Sequence, residues 1–321
     1  MGSTCGCINS SSVVRGTDEL ESFQVESAKQ EKSEEFPDEK YRTTPLCHSK
    51  LSSEFAQRQS KLPVTNALVK QVEDSLGLFR FKDLEESSQE LNLSETFSNG
   101  KTYIGQKDSQ GRKSGKGIFI WEDGSKYMGS WLNDKANGFG RLIHSDGDVY
   151  EGEWVNDKAQ GYGKYIHYNG TTYEGYWEED LQHGVGTEYW SDGAVYKGEY
   201  LHGKKSGQGE FTWNDSSSYK GDFTENHIQG LGVYIWKDGR KYEGYWKNNK
   251  MHGEGIFTWP DGRIYKGNYV ADKKEGYGEF YWPNGKVYKG QWLTGKQHGN
   301  GKYGDCNGVR DGRWRNGKKI D

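Results

Sequence analysis

Tyr150-Glu-Gly-Glu-Trp154, followed by Asn156-Asp-Lys158, Gly161-Tyr-Gly163 and Asn169-Gly170, is one unit of a string that recurs every 23 residues. Aligned on tyrosine, the units begin at Tyr103, Tyr127, Tyr150, Tyr173, Tyr196, Tyr219, Tyr242, Tyr265 and Tyr288, with a truncated tenth around Gly312 and Trp314. A fixed period of this length specifies an array of small supersecondary units rather than a globule around a catalytic cleft. Each unit reads as a strand, a polar turn, a return strand with Gly-x-Gly and an aromatic run, and a closing Asp/Asn-Gly: a hairpin leading into the next hairpin.

The strand period of two puts Tyr150, Gly152 and Trp154 on one face, and Gly161, Gly163, Tyr165 and His167 on one face of the return strand. The seventh unit repeats this with Tyr242, Gly244 and Trp246, then Gly253, Gly255, Phe257 and Trp259. Rings sharing a stripe with glycines can lie across the bare backbone of neighbouring strands. The Asp-Gly and Asn-Gly pairs at Asp123, Asp146, Asn169, Asp192, Asp238, Asp261, Asn284 and Asn307 signal tight hairpin turns. Asp215-Ser216 departs from them.

The recurring string, complete in Tyr242-Glu-Gly-Tyr-Trp246, Asn248-Asn-Lys250, His252-Gly-Glu-Gly255 and Asp261-Gly262, resembles the MORN (membrane occupation and recognition nexus) repeat, from Tyr103 to about Lys318. Lys107, Glu188, Ser216 and Gly304-Asp305 depart from the pattern, and the departures at the two ends suit caps on a linear array. The resemblance implies an all-β repeat array: an elongated, twisted, single-layer antiparallel sheet, often dimeric, serving as a scaffold or membrane-proximal adaptor. Nine repeats at two strands each, about 4.8 Å per strand, make a strut on the order of 85 Å long.

Composition follows the same division. All twelve tryptophans lie at or beyond Trp121, whereas the first hundred residues carry about −6 of charge. Residues 10–62 read as a disordered acidic tail, too poor in apolar side chains to offset the entropy of ordering. Within 63–100, Leu68, Val69, Val72, Leu76 and Phe79 recur at helical spacing behind Thr65 or Asn66 as cap, predicting a short helix over 66–80. That helix is expected to cap the first repeat by lying on its aromatic face. Its mixed charges do not suit a membrane surface.

Residues 1–9 form a candidate acylation segment. Gly2 stands where myristoylation requires it once Met1 is removed, Cys5 and Cys7 are placed for palmitoylation, and Gly6 occupies a position where the motif has Ser or Thr. One myristoyl chain binds membranes only marginally, so the cysteines would supply the second anchor. No apolar run is long enough to span a bilayer. The expected location is the cytosolic face of a membrane, with a cilium or the cytoskeleton as the alternative.

Two surface features could meet a partner. Trp131, Trp154, Trp177, Tyr200, Phe223, Trp246, Tyr269 and Trp292 line one face of a sheet to which the repeats add no second layer, and a partly exposed aromatic surface marks an interface for a protein partner or a second copy of the chain. Lys135, Lys158, Lys204, Lys250, Lys273 and Lys296 each follow a predicted turn on one edge, where they could meet anionic phospholipids or an acidic partner. Against that stands the ordinary occurrence of lysine in solvated turns, and the acids beside several of them.

Catalysis is not expected. Gly-x-Gly recurs, as at Gly138 and Gly276, but a strand follows where a phosphate loop needs a helix N-terminus. The turn carboxylates form no catalytic set. Cys5 and Cys7 have no second Cys/His pair at metal-binding spacing, and the histidines, His144, His167, His183, His252 and His298 among them, read as repeat positions. No metal, cofactor or nucleic acid is implied. Three functions fit: an acyl-anchored scaffold, a structural part of a ciliary or cytoskeletal assembly, or a regulatory partner of a separate lipid-signalling enzyme.

Overall fold

A computed structural model describes residues 66–81, 93–96 and 100–321. The candidate acylation segment and the acidic tail lie outside the described residues. Among the described residues one helix, α1 (Ala67–Leu76), precedes 21 strands from β1 (Leu93–Thr96) to β21 (Lys318–Lys319). Each strand pairs antiparallel with its neighbours in sequence, so the chain meanders through one open sheet.

The repeat beginning at Tyr150 shows how the unit is made. β6 (Val149–Val155) turns at Asn156-Asp157 into β7 (Lys158–Ile166). Along β6, Tyr150, Gly152 and Trp154 are buried while Glu153 and Val155 are exposed, which is the alternation the sequence predicts. Gly152 faces Gly163, but Trp154 faces Ala159, so the return strand carries a bulge. Gly161 sits in that bulge at φ 70, a conformation glycine adopts without penalty. The Tyr150 hydroxyl donates to the Glu153 carbonyl at the bulge, 3.0 Å away.

The Asp-Gly pairs stand at tight turns, as predicted, and a second set of tight turns makes the polar hairpin tips. These tips fall at Asn133-Asp134, Asn156-Asp157, Glu179-Asp180, Glu225-Asn226, Asn248-Asn249 and Ala271-Asp272, two-residue loops with positive φ at both positions. Their second side chain has a further task. Asp157 Oδ1 accepts from Ala136 N at 2.7 Å, and Asp157 N donates to Ala136 O at 3.0 Å, clasping each hairpin tip to the preceding repeat. Asp180, Asn226, Asn249 and Asp272 do the same. The Asp-Gly pairs hold the turns between one hairpin and the next, as at 144–148, where Gly147 N donates to His144 O, His144 N to Asp148 O, and Asp148 N to Asp146 Oδ1.

α1 is capped by Asn66, whose Oδ1 accepts from Leu68 N at 2.8 Å. It lies on the face opposite to the one expected. Val69 and Phe79 pack with Ile118, Ile120, Met128, Ile143 and Val149, the aliphatic side of the first repeats. Lys126 reaches Glu73 at 2.6 Å, and Arg141 donates to Gly77 O at 2.8 Å, fixing the segment there. The aromatic face needs no such cover because its rings already cover one another.

Candidate interaction surface

Each repeat tyrosine lies flat over glycines. A Cβ on Gly152 would stand 2.6 Å from Tyr150 Oη, and one on Gly163 would stand 2.4 Å from it. The tryptophan or its equivalent then meets two tyrosines edge to face. Trp154 lies 5.0 Å from Tyr150 and 5.4 Å from Tyr127, with ring planes at 90° and 89°. These contacts join into an unbroken file from Tyr103 to Trp314, each edge-to-face pair worth roughly 1 kcal/mol beyond the area it buries. Trp154 Nε1 also donates to Gly140 O, as Trp177, Trp246 and Trp292 do to Gly163, Gly232 and Gly278.

The file changes the reading of the candidate face. Trp131, Trp154, Trp177, Tyr200, Phe223, Trp246, Tyr269 and Trp292 are between 1% and 7% exposed, so they are the core of the sheet and offer little ring surface to a partner. The accessible aromatic surface on this face is the next row. Trp190, Trp213, Trp236 and Trp282 are half-buried against the file, with the buried Trp259 among them. Their repeat spacing was legible, but nothing local in the sequence distinguishes them from the buried row.

Cations lie against these rings. Arg263 stands 4.3 Å over Trp259 and Arg240 5.5 Å over Trp236. Lys274, itself buried, has Nζ 4.8 Å from the Phe280 ring and 4.9 Å from Trp292. Lys113 sits 4.3 Å over Trp131, and burial lowers its pKa although Asp134 and Asp157 pull the other way. Burial likewise raises the file's tyrosines, Tyr288 up to about 12 and the others further.

Glu188, the departure from the aromatic stripe, is compensated. It accepts from the Tyr200 hydroxyl at 2.9 Å and from Lys205 Nζ at 2.8 Å, while Lys205 lies 4.8 Å over Trp190. An aromatic position has been exchanged for a carboxylate together with its cation.

A groove of about 760 Å³ opens on the file between Trp259 and Trp282 on one side and the hairpin tips at 295–297 on the other. Trp292 and Lys296, assigned by sequence to separate features, both line it. The remaining edge lysines, Lys135, Lys158, Lys204, Lys250 and Lys273, are exposed at the start of their return strands. Lys158 is paired with Glu179, and Lys204 with Glu225 at 3.1 Å, which weakens the field of that edge.

The MORN repeat pattern matches residues 103–126, 127–149, 150–172, 173–195, 196–218, 219–239, 242–262, 265–287 and 288–310. No curated protein matches the chain. Among solved structures, the TCP10 domain of Danio rerio CPAP in complex with a STIL peptide is 13% identical, covering 71% of this chain and 97% of that one with a TM-score of 0.39. The SAS-4 (dCPAP) TCP domain of Drosophila melanogaster, in complex with a proline-rich motif of Ana2, is 17% identical over 57% and 97%, TM-score 0.31. Virginiamycin B lyase from Staphylococcus aureus is 14% identical over 69% and 83%, TM-score 0.15. These likenesses are too distant to bear on what this chain binds.

Proposed function

This chain belongs to the MORN repeat family, and from that premise we propose that it is a noncatalytic scaffold, tethered to the cytosolic face of a membrane by N-terminal acyl chains and offering its Trp259–Trp282 groove to a protein partner. The groove carries the scaffold reading. With the tyrosine file sealed, half-buried tryptophans and ring-bound cations are what this face leaves for contact, and aromatic and Arg side chains in a partly desolvated groove are the usual anchors of protein interfaces. A second copy of the chain is one such partner. Headgroup binding along the lysine edge is the weaker contribution, since Lys158 and Lys204 already have carboxylate partners.

The tether rests on Gly2, Cys5 and Cys7, outside the described residues. Among the described residues no helix is long and apolar enough to cross a membrane. The test is membrane fractionation and imaging of the full chain beside Gly2→Ala and a Cys5→Ser/Cys7→Ser double variant, with intact-mass detection of acyl groups. Acylated, membrane-bound wild type and cytosolic variants are expected. Unchanged localisation without acyl mass would sink the tether and leave the repeat array to choose the location, as a cytoskeletal scaffold would.

A further inference from the structure

We infer that Glu178, His183 and His202 form a site for a divalent transition-metal ion of the zinc class, clasping two consecutive hairpin tips. Glu178 ends β8 (Thr172–Glu178), and His183 is the third residue of β9 (Leu181–Tyr189). His202 opens the turn between β10 (Val195–Leu201) and β11 (Lys204–Thr212), at φ 47. One donor atom from each of the three lies within 4.8 Å of the other two. The His183 and His202 rings stand 5.3 Å apart.

The array explains why these atoms meet. In other repeats the residue at the His183 position reaches the next hairpin tip: Gln160 Oε1 accepts from Glu179 N at 3.2 Å, Gln229 Oε1 from Asn248 N at 2.8 Å, and Glu275 Oε2 from Thr294 N at 2.9 Å. His183 holds this position against the tip that begins with His202. Its Nδ1 is buried and makes no hydrogen bond, although Glu178 Oε2 lies 3.0 Å away, close but not aligned to accept a ring proton. A buried ring nitrogen without a hydrogen bond, beside a carboxylate oxygen and a second imidazole, is a set of donors suited to a cation.

The same position carries histidine at His252 and His298, but there Lys247 and Leu293 replace Glu178, and Ala271 and Asn316 replace His202. His298 Nδ1 is likewise buried without a partner, so the lone nitrogen recurs and the complete donor set does not. Two imidazoles and one carboxylate suit Zn²⁺, Ni²⁺ or Cu²⁺ and not the oxygen-seeking Mg²⁺ or Ca²⁺. Zinc bonds of about 2.1 Å need donors about 3.4 Å apart, so His202, exposed on its turn, must swing inward. A fourth position would remain for water or a partner's side chain.

The test is a Zn²⁺ titration of the full chain against a chromophoric chelator, together with the visible spectrum of the Co²⁺ form. One equivalent with nitrogen and oxygen ligation is expected. It should be lost in His183→Ala and in His202→Ala, and weakened ~10-fold or more in Glu178→Gln. His298→Ala should leave it unchanged, as should Cys5→Ser/Cys7→Ser, which removes the Cys-x-Cys pair of thiols. The absence of binding, a thiolate spectrum abolished by the cysteine variant, or a stoichiometry unaffected by His183→Ala and His202→Ala would each overturn the site. His202 is on an exposed turn, so its variant keeps the test open even if His183→Ala disturbs the strand; circular dichroism without metal checks both.

Discussion

The ring of Tyr242 rests on the Cα of Gly255 so closely that a methyl group there would stand 2.2 Å from the tyrosine hydroxyl oxygen. Gly255→Ala must therefore lift the ring and break its 3.0 Å bond to the Tyr245 carbonyl. The expected loss is about 3 kcal/mol, from overpacking together with a displaced hydrogen bond. Gly285→Ala, at φ 80 with nothing within 4 Å of the added carbon, should cost only about 1 kcal/mol of backbone strain. Urea denaturation compares the two, and equal midpoints would refute the covering role of the ring.

Ser216 occupies the left-handed turn position, φ 70, that glycine fills in most other repeats. Its amide still donates to Trp213 O at 3.0 Å, so the turn is kept and only strain is added. Ser216→Gly should stabilise the array by about 1 kcal/mol, seen as a raised melting temperature. A lowered one would show that the serine side chain contributes more than its backbone costs.

Tyr200 and Tyr269 hold the same repeat position with opposite hydroxyl environments. Tyr200 donates to Glu188, whereas Tyr269 Oη is buried without a partner. Tyr200→Phe should cost about 2 kcal/mol, since a bond to a charged acceptor is lost. Tyr269→Phe should be neutral or stabilising by up to about 1 kcal/mol. Denaturation midpoints falling equally in both variants would contradict this difference.

What was legible in the sequence was whatever repeats: the period, the strand alternation, and tyrosine covering glycine. Both sets of turns are legible, the Asp-Gly pairs and the polar tips such as Asn156-Asp157, but the second use of those tips is not. Asn and Asp tolerate positive φ, and here they are used for the inter-repeat clasp to Ala136 as well. The helix is legible but its face is not, since an apolar stripe does not say which side of a sheet lacks cover. A single layer implies bare rings at Trp154 and its equivalents, yet they are buried. Each leans between two tyrosines instead, a packing set by cross-strand register. The sequence shows His183 only as a repeat position for the same reason, as its meeting with Glu178 and His202 depends on which tip stands beside which strand.

α1 and Phe79 cover only the first repeats, and in a linear array contacts act on near neighbours. Phe79→Ala should cost about 3 kcal/mol locally by emptying the site beside Phe139 and Arg141. Hydrogen exchange should accelerate in β3 (Lys113–Ile120), β4 (Lys126–Leu132) and β5 (Lys135–Ile143). Protection around Tyr265 should stay unchanged. Uniform acceleration along the chain would mean that the array unfolds as one unit.

The tyrosine file also sets an alkaline limit. Burial raises these phenols above their unfolded value of about 10, Tyr288 to about 12 and Tyr127, Tyr150 and Tyr265 beyond it. A raised folded-state pKa means that the folded chain holds protons which the unfolded chain has released. The stabilisation is therefore complete below about pH 10 and is lost as the pH rises through the folded values. Tyr288, whose last ring neighbour is Trp314 at the C-terminal end of the file, is the least raised and should ionise first. An alkaline titration following tyrosinate absorbance and strand circular dichroism together should show the file's tyrosines ionising as the sheet is lost. Full ionisation of all tyrosines near pH 10 with the strand signal intact would mean that the hydroxyls are open to water and that the file is not closed.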